Sequence, residues 1–191
     1  PLAGSTALQS LRNHGKIKTG QTVLINGASG GVGMFAVQLA KAYGCHVDAV
    51  ASAKNREFCM SLGADHFYDY EQDDFTKSRE RWDIIFDVAG KAHYLAARAV
   101  LKEGGHFVST EPNIEGMLIT ILTWPLSKSG QVMLAVPASD DLRELIRLYE
   151  LGALRVTIDS QFRFEEAADA HRRVETGVEH GKVVLINSQT I

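Results

Sequence analysis

No stretch of this 191-residue chain is apolar for long enough to cross a membrane as a helix. Such a span needs about 20 consecutive apolar residues, and the longest run, Met117 to Leu122, is interrupted by Thr120. An excess of one charge is missing as well: 20 basic residues face 23 acidic ones, the net charge is −3, and no five like charges adjoin. That balance removes the electrostatic case for nucleic acid or an anionic membrane surface as partner. Cysteine is scarce. Cys45 and Cys59 form no C-x-x-C pair, which argues against a disulfide scaffold and for a reducing compartment, expected to be the cytoplasm. The seven histidines stand apart, without an H-x-x-x-H or His/Cys pair at ligand spacing, so no metal site is expected. There is no initiator methionine, and residues 1–7 read as neither a signal nor a transit peptide; the expectation is a piece of a longer protein.

What the chain does have is an ordinary globular composition, 45% hydrophobic and 23% charged, enough for one well-filled domain and part of a second. Its most informative segment is VLINGASGGVG, residues 23–33, where an apolar run drops into a glycine-rich turn and helical periodicity follows at once. Ala28, Gly30 and Gly33 reproduce the G-x-G-x-x-G spacing with alanine in first place. A small first residue permits the tight turn, Gly30 lets a pyrophosphate approach the backbone, and Gly33 lets helix and strand pack closely. The helix start then offers N–H groups and a partial positive charge to phosphates. Ser29, Gly31 and Val32 fill the rest of this cradle.

Apolar β-rich runs alternate with helical patterns along the chain, which predicts an α/β fold with a doubly wound parallel sheet of about six strands. Strands are expected at 22–26, 46–51, 66–69, 83–88, 106–110 and 131–136, in the spatial order 3-2-1-4-5-6. Helices are expected from Ser5 or Thr6 to Asn13, over 31–43, 54–62 and 92–101, irregularly over 113–124, and from an N-cap at Ser139 to about Tyr149. These elements make residues 1–152 a dinucleotide-binding domain. Residues 153–191 follow as a separate segment, with an amphipathic helix over 164–176 and a strand over 182–186.

The residue ending the second strand reads the adenine ribose: an acid suits a free 2′-hydroxyl, whereas a 2′-phosphate suits cations and small donors. Here the strand runs into Ser52-Ala53-Lys54-Asn55-Arg56, with no acid before Glu57, while Asp48 lies too early. Ser52, Lys54 and Arg56 therefore form a candidate 2′-phosphate clamp and favour NADP(H) over NAD(H). Solvated first-turn residues are the alternative for Lys54 and Arg56, although cations at a helix start are disfavoured by roughly 0.3–1 kcal/mol each.

Six ordered segments resemble the zinc-free quinone oxidoreductases and enone (2-alkenal) reductases of the medium-chain dehydrogenase/reductase superfamily. They are residues 1–11, 20–44, 61–70 (SLGADHFYDY), 86–90 (FDVAG), 101–109 (LKEGGHFVS) and 170–186 (AHRRVETGVEHGKVVLI). In that family a GroES-like catalytic domain precedes the segment resembling residues 1–11, and the C-terminal return rejoins it. The resemblance implies that Gly30, Gly31, Val32 and Gly33 cradle the pyrophosphate and that Ser52 and Arg56 meet the 2′-phosphate. It implies that Tyr70 flanks the adenosine phosphate, although an ordinary strand-end aromatic is an equal reading. Val88, Ala89 and Gly90 would end the fourth strand, and Ser109 and Thr110 the fifth, where ribose and nicotinamide pass. Thr6 matches a threonine near the nicotinamide, or is a helix cap.

The reaction so implied is hydride transfer from NADPH to a quinone or to the β-carbon of an α,β-unsaturated carbonyl, the cofactor supplying the chemistry and the protein its orientation. No residue here reads as the proton donor, and the fragment alone is expected to turn over little. A non-catalytic NADPH sensor or scaffold and a fragment of a zinc-dependent alcohol dehydrogenase remain as alternatives. The apolar run 131–136 would lie at a sheet edge and seek a second copy, giving a homodimer.

Overall fold

The structure is a computed structural model that describes residues 2–112, 114–123, 125–178 and 180–187. Six strands form its main sheet: β1 Thr22–Asn26, β2 His46–Ala51, β3 His66–Asp69, β4 Trp82–Asp87, β5 Leu101–Ser109 and β6 Ser129–Val132. Their order is β3-β2-β1-β4-β5-β6 and every pairing is parallel, as the sequence pattern predicts. Successive strand residues feed opposite faces, so the central strands must be apolar on both sides. Val23, Ile25, Ile84 and Phe86 enter one core, with Leu8, Leu11, Val37 and Leu39 packed on them. Leu24 and Ile85 enter the other, beside Trp82, Tyr94, Leu101 and Phe107. Each such burial is worth about 1.5–3 kcal/mol, which is what holds the sheet between its helices.

Those helices are α1 Leu2–Gln9, α2 Gly33–Ala42, α3 Arg56–Ser61, α4 Tyr94–Arg98, α5 Ile114–Thr123 and α6 Ser139–Glu150. Several differ from expectation for local reasons. The first begins at Leu2 and passes into one π-helical turn, Ser10–His14, so Ser5 and Thr6 sit inside the helix and cap nothing. The helix expected over 54–62 divides into a 3₁₀ turn, Ala53–Asn55, and α3. The one expected over 92–101 shrinks to α4, because the Asp87 carboxylate takes the N–H groups of Lys91 (3.4 Å) and Ala92 (2.9 Å). Leu101 already pairs with Trp82, so β5 starts five residues before the expected His106 and kinks at Gly104 (φ +78°). Strand β6 lies two residues before the expected start, at Ser129; Met133 turns into the core, while Leu134 and Val136 are 60% and 64% exposed. Ser139 is the first residue of α6 rather than its cap. Asp141, 1% exposed in that first turn, instead accepts from Gln9 Nε2 and pairs with Arg12, both at 2.5 Å. The expected ends of the fifth helix, Asn113 and Trp124, lie outside the described residues.

The C-terminal segment adds a second, two-stranded parallel sheet, β7 Ile158–Arg163 with β8 Lys182–Ile186. They are joined through a 3₁₀ turn, Phe164–Glu166, and α7 Ala167–Glu175. Strand β8 and the helix match the sequence expectation; β7 was not anticipated.

Candidate functional site

The chain leaves β1 for β2 and β3 on one side, then returns to β4 on the other, which opens a crevice at the carboxyl ends of the strands. The glycine turn sits there and is fastened to both neighbours. Gly27 and Ala28 donate to Val50 O of β2 at 3.0 Å, while Val88 and Ala89 donate to Asn26 O from β4. Gly27 adopts φ +88°, a left-handed conformation that glycine tolerates. The motif positions separate by cause. A Cβ at Gly33 would run into the carbonyl oxygen of Gly27, so glycine there is dictated by packing of helix on turn. A Cβ at Gly30 would meet only Gly27 O, at an ordinary 3.4 Å. No neighbouring atom of the protein excludes a side chain at that position. The turn runs straight into α2: the N–H of Met34 donates to Gly30 O at 2.9 Å and that of Ala36 to Val32 O at 3.0 Å.

The cleft in front of the turn measures about 1340 Å³. Asn26, Gly27 and Ser29 line it from β1, Val50 to Ser52 with Lys54 and Asn55 from β2, and Ala89 with Lys91 to His93 from β4. Residues 70–76, after β3, close one side. Below it Asn26 Nδ2 donates to Asp87 Oδ1 at 2.8 Å. Burial pushes the Asp87 carboxyl above its usual range, although the N–H groups of Ala92, Lys91 and Gly90 and the Asn26 amide work against that rise. This buried pair fixes the loop that forms the β4 wall.

Of the expected site residues, Ser29, Ser52, Lys54, Tyr70 and Ala89 line the cleft. Ala28 is fully buried beneath the turn, and Val32 precedes α2 as its cap residue. Arg56 is brought elsewhere: its guanidinium lies over the Phe67 ring, 5.2 Å from the centroid, and it does not line the cleft. Gly90 (φ +64°) is covered by the Glu111 carboxylate. Ser109 borders a small neighbouring pocket of about 50 Å³ with Gln131 and Ile119, and Thr110 Oγ1 donates to Val88 O at 3.2 Å. Asp48, the rival ribose acid, is buried in β2 with its Oδ2 accepting from Trp82 Nε1 at 2.8 Å and its Oδ1 3.1 Å from His46 Nε2. It is not a cleft residue.

Three contributors went unread in the sequence. Asn55 lines the cleft beside Ser52. Lys182 of β8 places its Nζ 2.9 Å from where a Gly31 Cβ would stand, a cation directly over the glycine turn. Arg173, Thr176, Gly177 and Val178 form a wall from the C-terminal segment. Arg173 is steadied there by Asp159, which accepts from its Nε at 2.9 Å and its Nη2 at 2.5 Å. The lysine of the GKVVL segment was a visible signal, but only topology carries it back to the first glycine turn. The thiols are not nucleophile candidates, since burial raises Cys45 and pushes Cys59 up to about 12. Among the described residues, no group of three or more His, Cys, Asp or Glu is placed to hold a metal ion.

A doubly wound sheet with a glycine turn and an open cleft at its switch point defines a nicotinamide-dinucleotide-binding domain. The chain belongs to the medium-chain dehydrogenase/reductase superfamily and is quinone-oxidoreductase-like within it. Residues 62–185 match the family described as zinc-binding dehydrogenase. The chain is 32% identical to a chloroplast envelope quinone oxidoreductase homolog of Arabidopsis thaliana, covering 97% of this chain and 60% of that protein. It is also 32% identical to a 2-methylene-furan-3-one reductase of Solanum lycopersicum, covering 97% of this chain and 45% of the relative. The solved quinone oxidoreductase of Coxiella burnetii superposes with a TM-score of 0.85 at 34% identity, over 97% of this chain and 58% of that one. The chain thus spans at most about 60% of these relatives, the share that holds the cofactor domain.

Proposed function

We propose that this chain is the cofactor-binding part of an NADPH-dependent oxidoreductase that delivers hydride to a quinone or to an α,β-unsaturated carbonyl. One observation carries the reading: the cleft at the switch point of the sheet runs from the glycine turn, at Gly27 and Ser29, past Ser52 to the β4 loop. The residues present fit a dinucleotide. The turn at 28–33 and Lys182 would hold the diphosphate, Ser52 and Lys54 the 2′-phosphate, and Tyr70 the adenosine side. Val88, Ala89 and Gly90, with Ser109 and Thr110 beside them, would border the ribose and nicotinamide. NADPH supplies the hydride when bound. The chain's own residues bind, orient and exclude water, and the buried Asn26–Asp87 pair keeps the β4 wall rigid.

The names of relatives support the acceptor class, a quinone in one and an enone-like furanone in another. The absence of a carboxylate at the end of β2 supports NADPH over NADH. The parent is read as cytoplasmic, in keeping with two buried free thiols. It is also read as a homodimer, because β6 is the edge of the sheet and exposed Leu134 and Val136 follow it. The full-length parent should consume NADPH with a quinone or an enone, unaffected by a chelator. Chelator-sensitive alcohol oxidation would contradict the acceptor assignment, and a monomer in sedimentation at high concentration would contradict the dimer.

A further inference from the structure

Asn55 stands where the second strand turns into the cleft, and its side chain is bonded on one side only. It is 5% exposed, and its Nδ2 donates to Ser52 Oγ at 3.1 Å. Its backbone N–H donates to Ser52 O at 2.9 Å, which fixes the spacing of the two residues through one 3₁₀ turn. Its Oδ1 is buried and meets no donor. An unmet buried acceptor costs about 1–3 kcal/mol, so a cleft-lining residue that keeps one is waiting for a ligand group.

A serine hydroxyl has one proton to give and two lone pairs to receive with. The Asn55 amide occupies a lone pair of Ser52 Oγ, and that oxygen makes no other hydrogen bond among the described residues. Its proton is therefore directed away from Asn55, and Ser52, itself 9% exposed, lines the cleft. Held this way, Ser52 faces a ligand as a donor. A phosphate offers only acceptors and gains a charge-assisted bond from such a group, whereas a ribose hydroxyl gains a neutral one of roughly half the strength. We infer that Asn55 is a positioning residue that turns the Ser52 hydroxyl toward the cleft and thereby sets the preference for a 2′-phosphorylated adenine ribose. This rests on the NADPH reading above.

Calorimetric titration of NADPH and of NADH into the protein tests the device, using the wild type, Ser52→Ala, Asn55→Ala, the double variant and Asn55→Asp, with each fold checked by thermal melting. Asn55→Ala should lower the NADPH-to-NADH affinity ratio about tenfold. Ser52→Ala should do the same, and the double variant should lose no more than either, because both act through one hydroxyl. The near-isosteric Asn55→Asp should reverse the preference, since its carboxylate captures the Ser52 proton and repels the phosphate. An unchanged ratio in Asn55→Ala, an equal loss for both dinucleotides, or additive losses in the double variant would overturn the inference while leaving the NADPH reading intact. Equal binding of the two dinucleotides by the wild type would overturn both.

Discussion

The six-stranded sheet and the β7–β8 unit are both parallel and both carry helices, yet they are held together differently. Strands β1 and β4 are buried on both faces and rely on apolar packing. Strands β7 and β8 are half-exposed or exposed throughout, and their segment is stitched by charged pairs: Arg173 with Asp159, Arg163 with Glu166, and Arg172 with Asp169. A parallel sheet normally needs cover on both faces, and a two-stranded one is marginal by itself. The difference teaches that the large sheet supplies stability, while the small unit supplies a wall and a cation to a cleft that the large sheet leaves open.

The sharpest way to break that division is at the glycine turn. Gly33→Val drives a branched side chain into the Gly27 carbonyl, which is backbone and cannot swing aside. Loss of at least about 3 kcal/mol and of dinucleotide binding is expected in urea unfolding and titration. Next in size is a contrast of truncations. Phe86→Ala in β4 should cost about 3–5 kcal/mol, whereas Leu185→Ala in β8, 40% exposed, should cost less than about 1 kcal/mol. Equal costs would erase the comparison.

Electrostatics sharpen it further. Burial alone would raise the Asp141 carboxyl, but Gln9 and the Arg12 guanidinium hold it below its ordinary value. A depressed folded value means that its stabilisation is complete above the unfolded-state value of about 4 and is lost as pH falls through the folded one. Asp141→Asn should therefore destabilise at neutral pH by about 1–3 kcal/mol, with the gap to wild type closing in acid. In the small unit, Arg173 beside Asp159 lowers that carboxyl too. The pair is part-buried, with the Arg173 side chain 36% and the Asp159 side chain 12% exposed, so Asp159→Asn should cost about 1 kcal/mol. Its effect belongs at the cleft wall, where a several-fold rise in the Kd for NADPH is expected.

The large sheet was readable because its strands are short, apolar and punctuated by glycines, and parallel order follows from crossover handedness. Its boundaries slipped where a tertiary partner decided them: Asp87 cut α4 short, and Met133, not the 131–136 run as a whole, entered the core. Strand β7, Ile-Asp-Ser-Gln-Phe-Arg, escaped because an exposed strand carries no apolar run and its ladder partner comes only after α7. At the site, local motif chemistry points to the glycine turn and Ser52, and Ser29 and Ser52 do line the cleft. The place of Arg56 was not, since Phe67 of the neighbouring strand attracts it. Lys182 and Arg173 are far from the turn in sequence and become neighbours of the cleft only once the small sheet has formed.

The central claim is that the cleft at the glycine turn holds a 2′-phosphorylated nicotinamide dinucleotide. Calorimetry of NADPH and NADH on the wild-type protein at fixed salt tests it most directly. The account predicts saturable binding of both with NADPH the tighter by at least about tenfold, the worth of one charge-assisted contact. Absence of binding, or a preference for NADH, would contradict it.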